Sequence, residues 1–322
     1  VMPLYKVAET VPVEPDRFDF VIVDEASQLS AEALFLMYIG KNIIVVGDHK
    51  QTSPEYIGVK DEDIFPKIQK YFGKMPFGNF LGTEYSFYDQ TKLVANTSMI
   101  LREHFRSMPE IIEFSNQNFY KPFGSELFPL KQYKESRLPP LQAHYCEGAS
   151  AKGSDSNIHN IEEAEAIAHK ITELCKLPEY KGKSMGVIAL QGNLQAIKIE
   201  QLIIKKIGQK EFNERKIVCG NSASFQGDER DIMFLSLVTA PNHSNRQPFV
   251  KATDERRFNV AASRAKEQAW LFHSVKIEEL RNPDDLRMKL LAHFIGFKEE
   301  SNWEKNLVES PAFGRSERNF PN

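Results

Sequence analysis

Two adjacent carboxylates, Asp24 and Glu25, close an apolar run in FVIVDEASQLS, residues 20–30. Phe20, Val21, Ile22 and Val23, flanked by polar sequence, suit a strand buried on both faces of a parallel sheet. Open α/β sheets bind ligands beyond the carboxyl ends of their strands, which is where this pair falls. One carboxylate can hold a magnesium ion bridging nucleotide phosphates while its neighbour orients or deprotonates the water that attacks the terminal phosphoryl group. An acidic turn opening a helix has the same composition, because Asp and Glu suit a first helical turn. The pair therefore needs support from the rest of the chain.

The elements that would position it can be read in order. Ser30 can cap a helix over Ala31 to Tyr38, ended by Gly40. A second apolar run, Ile43 to Val46, stops at Gly47-Asp48, and the loop GDHKQTSP brings Gln51 and Pro54 to the same sheet edge. Residues Phe77 to Tyr88 are rich in aromatics, which form either a platform for stacked bases or ordinary core. Met99 to Phe105 reads as a strand projecting Arg102 and Arg106, and Pro109 starts a helix through Asn118. Further on, Asn160 caps a helix with Ile161, Ala164, Ile167, Ala168, Ile171 and Leu174 on one face. Strands are expected at Val187–Leu190, Ile217–Cys219, Ile232–Val238 and Trp270–His273. Helices are expected at Leu194–Ile207, Phe258–Lys266 and from Leu280 to Phe294, with a polar tail after Glu299. Strands alternating with helices indicate an α/β fold with doubly wound parallel sheets.

Composition narrows the function classes. The 322 residues are enough for two ordinary cores, and 41% hydrophobic with 26% charged residues is a globular balance. A net charge of −3 gives no global attraction to nucleic acid, so phosphate binding must come from a local groove. Cys146, Cys175 and Cys219 are far apart with no CxxC spacing, which indicates neither a zinc site nor a disulfide framework and suits a reducing, cytoplasmic setting. No apolar run reaches membrane-spanning length.

Five separated pieces, VIVDEASQ, VVGDHKQTSP, REHFRSMP, SFQGDERD and RRFNVAASRAK, occur in this order. The series resembles motifs II to VI of superfamily 1 helicases, most closely the 1B branch of RNA-surveillance helicases and flap-processing DNA helicase-nucleases. The resemblance implies RecA-like domains that bind ATP and Mg2+ in a cleft and carry single-stranded nucleic acid, DNA or RNA, with 5′ to 3′ polarity. It implies that Asp24 serves the magnesium site, that Glu25 activates water, and that Gln28 and Gln51 sense the terminal phosphate. Asp48 resembles the motif III acid that couples nucleotide to the nucleic-acid track. Arg106 and Arg264 resemble arginines that reach the phosphates, a role suited to a planar guanidinium that stays charged. Gly227 and Glu229 resemble the motif V glycine and the glutamate that contacts the ribose, and Arg257, seven residues before Arg264, shares its helical face as a support.

On this resemblance, residues 1–98 are the carboxyl-terminal part of a first RecA-like domain, 99–285 a complete second one and 286–322 a tail or linker. No GxxxxGK[ST] phosphate loop occurs in the 322 residues, and the expectation is that the sequence begins after it and is inactive alone. Asn221, Ser222, Ala223 and Ser224 depart from the usual threonine or serine and acid before Phe-Gln-Gly, Phe105 stands where tyrosine is common, and Ser263 where threonine is common. Two other readings are a helicase-shaped scaffold without motor activity and the loading part of a helicase-nuclease.

Overall fold

Alternation of side chains governs the first sheet. The computed structural model describes residues 1–51, 61–83, 85–133, 137–242 and 247–299. Strand β1 (Phe18–Val23) pairs in parallel with β2 (Gly40–Val45), Ile22 lying beside Ile44 and Val23 beside Val45. Val21, Val23, Ile43 and Val45 pack with Ala26, Ala33, Leu36, Ile39 and Phe87. Phe18, Phe20, Ile22 and Ile44 are exposed on the other face. Burial on both faces, expected from the apolar run, is therefore corrected. Successive strand residues point to opposite sides, and the helical layer of residues 31–39 with Phe87 covers only one.

That layer is also shorter than expected. Ala31–Phe35 is a 3₁₀ turn and Leu36–Ile39 one α-helical turn, with no side-chain bond from Ser30 and with Gly40 already extended. Helix α1 (Pro109–Ser115) has Pro at its first turn, where the missing N–H costs nothing, and runs on as a π-helical segment, Asn116–Tyr120. Ile111, Ile112, Phe114 and Phe119 are its buried set. The strand expected at Met99–Phe105 shrinks to Glu103–His104, which pairs with Phe128–Pro129, while Met99, Ile100 and Leu101 are exposed.

Contacts sort the chain into two units. The first comprises residues 1–132, 219–230 and 250–266, and the second comprises 133–218, 231–249 and 267 onward. The second holds most of a five-stranded sheet. Its strands are β3 (Leu141–Tyr145), β4 (Met185–Ala189), β5 (Val218–Gly220), β6 (Arg230–Ser236) and β7 (Ala265–His273), with helices α2 (Ile161–Leu174) and α3 (Asn193–Glu214) between β3 and β5. Helix α4 (Ala252–Ala262) precedes β7, and α5 (Leu286–Glu299) follows it. Spatial order is β3-β7-β6-β4-β5. β4 and β6 are parallel from Met185 beside Ile232 to Ala189 beside Ser236, and β3 and β7 are parallel from Leu141 beside Ala269 to Tyr145 beside His273. The expected α/β fold with parallel sheets is borne out.

Central strands are fully enclosed, with every residue of β4 buried and Ile232 to Leu235 wholly inaccessible. Asn160 caps α2 as expected, its Oδ1 accepting the Glu163 N–H at 3.1 Å. Two boundaries differ. The helix expected over Phe258–Lys266 begins at Ala252 and ends at Ala262, so Arg264 sits in the turn after α4 and Lys266 on β7. The helix expected from Leu280 starts at Leu286. Pro54 and the polar tail beyond Glu299 lie outside the described residues. Among those described, no helix is long and apolar enough to cross a membrane.

Candidate functional site

All ten sequence-derived candidates fall in the first unit, so their geometry can be built there from the strand exits outward. β1 stops at Val23, and the Val46 N–H donates to the Val23 carbonyl at 2.8 Å while the Ala26 N–H donates to the Val46 carbonyl at 2.9 Å. These bonds hold the exits of β1 and β2 side by side. Asp24 is exposed, and its Oδ1 accepts the Glu25 N–H at 2.9 Å. Glu25 adopts the left-handed conformation, φ 52° and ψ 37°, directly before the 3₁₀ turn Ala26–Gln28 that places Gln28. Gly227, also left-handed at φ 72°, lies beside Glu25, a Cβ there being 3.6 Å from Glu25 Oε1, an ordinary contact. Its φ, rather than the space, is what favours glycine.

The loop after β2 is tied by Asp48. Its Oδ1 accepts the Lys50 N–H at 2.9 Å, and its Oδ2 accepts from Gln51 Nε2 at 3.0 Å and from the Tyr120 hydroxyl at 2.6 Å. Gln51 Oε1 in turn accepts from Arg264 Nη2 at 2.8 Å. Asn259, on α4, donates through Nδ2 to the Lys50 carbonyl at 2.9 Å and to the Tyr120 oxygen at 3.0 Å. Arg264 is 1% exposed, and its Nε donates to the Val260 carbonyl at the helix exit. Burial pulls its guanidinium down to about 10, the neighbouring Arg106 pulls the same way, and Glu25, Tyr120 and Asp48 oppose them. It remains a cation at neutral pH.

A second cluster joins the pieces around Glu229. Arg106 Nε donates to Glu229 Oε2, and Lys266 Nζ lies 2.7 Å from Glu229 Oε1. Burial pushes the Glu229 carboxyl up, but the bonds from Lys266 and Arg106 outweigh it and hold the group below its ordinary value. Lys131 braces the backbone by donating to the Arg106 and Lys266 carbonyls, each at 2.8 Å. The structure thus brings together Glu25 with Gly227, Asp48 with Gln51 and Arg264, and Arg106 with Glu229. Arg257 instead pairs with Asp254 at 2.7 Å, and Arg102 donates to the Gly124 carbonyl. The aromatics of 77–88 pack on one another, Phe80 against Tyr85 at 4.7 Å, with Phe87 fully buried.

Four residues of these clusters escape sequence reasoning: Tyr120, Lys131, Asn259 and Lys266. Only Asn259 left a signal, as a polar residue between Phe258 and Val260 on an otherwise apolar stretch.

The donor set fits a magnesium-bound polyphosphate. The charge of Arg106 works against that of Arg264, an arrangement that a polyanion relieves. Magnesium is commonly held by one or two carboxylates together with phosphate oxygens and water, and exposed Asp24 is such a carboxylate. Among the described residues no group of three or more His, Cys, Asp or Glu side chains converges on a metal position.

Comparison with known proteins gives the chain its relatives. The AAA domain family matches residues 84–276. An "Uncharacterized ATP-dependent helicase MG140" of Mycoplasma genitalium is 29% identical over 314 residues, covering 92% of this chain and 27% of that protein. "Regulator of nonsense transcripts 1" of Dictyostelium discoideum is 25% identical over 288 residues, covering 86% of this chain and 20% of the relative. Human "DNA replication ATP-dependent helicase/nuclease DNA2" is 25% identical over 320 residues, covering 92% and 27%. The chain therefore spans about a quarter of the length of these relatives. Among solved structures, an arterivirus nonstructural protein 10 (helicase) with DNA overlays at a TM-score of 0.34 and 10% identity, covering 79% of this chain and 39% of its own.

Proposed function

This chain belongs to the AAA domain family and is similar to superfamily 1 helicases of the RNA-surveillance and flap-processing type, and on that premise we propose that it carries the hydrolytic centre of an ATP-driven translocase on single-stranded nucleic acid. The observation that carries this reading is the bond from Arg264 to Gln51, which puts a buried guanidinium beside the Asp48-bearing loop that follows β2. Glu25 lies within the electrostatic reach of that guanidinium. Gln51 and Arg264, 213 residues apart in sequence, are bonded directly, and the charges of Glu25 and Asp48 act on the same guanidinium.

In this reading Asp24 holds the magnesium ion, which when bound neutralises phosphate charge. Glu25 positions the attacking water and takes its proton at the carboxylate. Gln28 and Gln51 present amides to the terminal phosphate, Gln51 while braced by Asp48. Arg106 and Arg264 offset the charge spread over the phosphoryl oxygens in a loose transition state. Gly227 supplies the left-handed turn beside Glu25, and Glu229 faces the sugar. The mechanical division is residues 1–98 against 99–285, and travel is 5′ to 3′. The strand is DNA or RNA, since backbone tracking and stacking do not distinguish them.

The test is strand-stimulated ATP hydrolysis by the whole protein. Glu25→Gln should abolish turnover while ATP still binds, because the amide keeps the shape and loses the base. Retained turnover would remove Glu25 from its role and the reading with it.

A further inference from the structure

We propose that Tyr120 is a positioning residue for phosphoryl transfer, its hydroxyl bridging Asp48 and Asn259 so that Gln51 meets Arg264 at a fixed angle. The inference rests on the reading above and adds a residue from outside the five sequence pieces.

Direction of bonding in this ring is set by chemistry. The Asp48 carboxylate can only accept, so the Tyr120 hydroxyl donates to Oδ2 at 2.6 Å. Its oxygen is then the acceptor for Asn259 Nδ2 at 3.0 Å. The second amide hydrogen of Asn259 goes to the Lys50 carbonyl at 2.9 Å, which fixes the amide's orientation through two acceptors. The Tyr120 ring is partly exposed, but burial of its hydroxyl end and the Asp48 charge push ionisation upward, so the donor proton is kept.

The consequence falls on Asp48. Its Oδ1 is taken by the Lys50 N–H, and its Oδ2 is shared by Gln51 Nε2 and Tyr120. A carboxylate so engaged orients its neighbours. It holds the Gln51 amide by nitrogen, which leaves the Gln51 oxygen to accept from Arg264 at 2.8 Å. Asn259 and Arg264 leave α4 five residues apart, so the hydroxyl ties the loop after β2 to the same helix whose exit carries the arginine. Among the described residues, Asn259 Oδ1 is buried without a hydrogen-bond partner. A side chain that leaves its acceptor unmet is held by its two donor bonds, as expected if those bonds set geometry. The π-helical segment Asn116–Tyr120 supplies the aim, because widening the last turn of α1 rotates the phenol away from the α-helical position.

The experiment is steady-state ATP hydrolysis by the whole protein at saturating single-stranded nucleic acid. Tyr120→Phe keeps the ring and removes one hydroxyl. We expect kcat to fall roughly 10- to 100-fold, the range for small misplacement of a catalytic group, with KM for ATP within about twofold of its original value, as for an interaction made only in the transition state. With Gln51→Ala already present, Tyr120→Phe should cost no further rate, since its target is gone. An unchanged kcat, a matching rise in KM, or a further tenfold loss on the Gln51→Ala background would each overturn the proposal, and the last also exposes a variant that merely unfolds. Glu25→Gln separates the two levels: if it abolishes turnover while Tyr120→Phe is silent, only this inference fails. If turnover survives Glu25→Gln, the underlying reading fails.

Discussion

Glu25 leaves its strand in a left-handed conformation that costs a residue with a Cβ roughly 1–2 kcal/mol. Such strain persists where function needs the side chain. Glu25→Gly should therefore raise the unfolding free energy of the chain by about 0.5–1 kcal/mol in urea denaturation while removing the carboxylate, and a clear loss of stability would contradict the strain argument. Arg264 supplies the second residue-scale prediction. Arg264→Lys keeps a charge but loses the planar fork that reaches Gln51 and the Val260 carbonyl. Strand-stimulated ATP turnover by the whole protein should drop about 10³-fold or more, and a loss under tenfold would contradict a phosphate-facing role. Asp24 and Glu25 were legible because the apolar run ends on them. Tyr120 was not, because its partners Asp48 and Asn259 lie 72 and 139 residues away and no local pattern encodes such pairing.

Elements add the supports. Glu163, in the first turn of α2, is fully buried and accepts from Ser236 Oγ at 2.7 Å, the Val238 N–H at 2.8 Å and Ser274 Oγ at 2.8 Å. Burial pushes its carboxyl up to about 7 against these bonds, from an ordinary 4.5. The folded state thus binds the proton more tightly than the unfolded state, so stability is highest below pH 4.5 and falls as pH rises toward 7. The loss should total roughly 3 kcal/mol and level off above that range. Urea melts of the chain from pH 4.5 to 8 should show this slope, and Glu163→Gln should flatten it. A slope unchanged in the variant would assign the effect elsewhere. Gly192, which caps α3 at φ 68°, has no room for a side chain, since a Cβ would meet the Ile158 carbonyl oxygen at 2.1 Å. Gly192→Ala should destabilise by about 2–3 kcal/mol. β4 and β6 were legible as continuous apolar runs because they are buried on both faces. β1 has the same composition with one face exposed, and β3, LQAHY, carries too mixed a pattern to announce a strand. Period and composition do not encode which faces a neighbour will cover.

At the scale of the molecule, the order of the five pieces announced the fold class and the family, whereas packing placed the segments 219–230 and 250–266 with residues 1–132. That grouping follows from bonds such as Arg264 to Gln51 and Asn259 to Lys50, long-range contacts that a reading of consecutive elements does not anticipate. The 322 residues hold no GxxxxGK[ST] loop, whose amides and lysine cradle phosphates. The chain by itself should bind ATP weakly and show no magnesium-dependent hydrolysis, and robust turnover by it would contradict the account. The most direct test of the convergence of acids and guanidinium groups is a structure of the whole protein with magnesium, ADP and aluminium fluoride. The account places both the Arg106 and Arg264 guanidinium groups within hydrogen-bond reach of the fluoride, Asp24 toward the metal and Glu25 on the attacking water. Nucleotide bound with Glu25 and Arg264 facing away from it would contradict the claim.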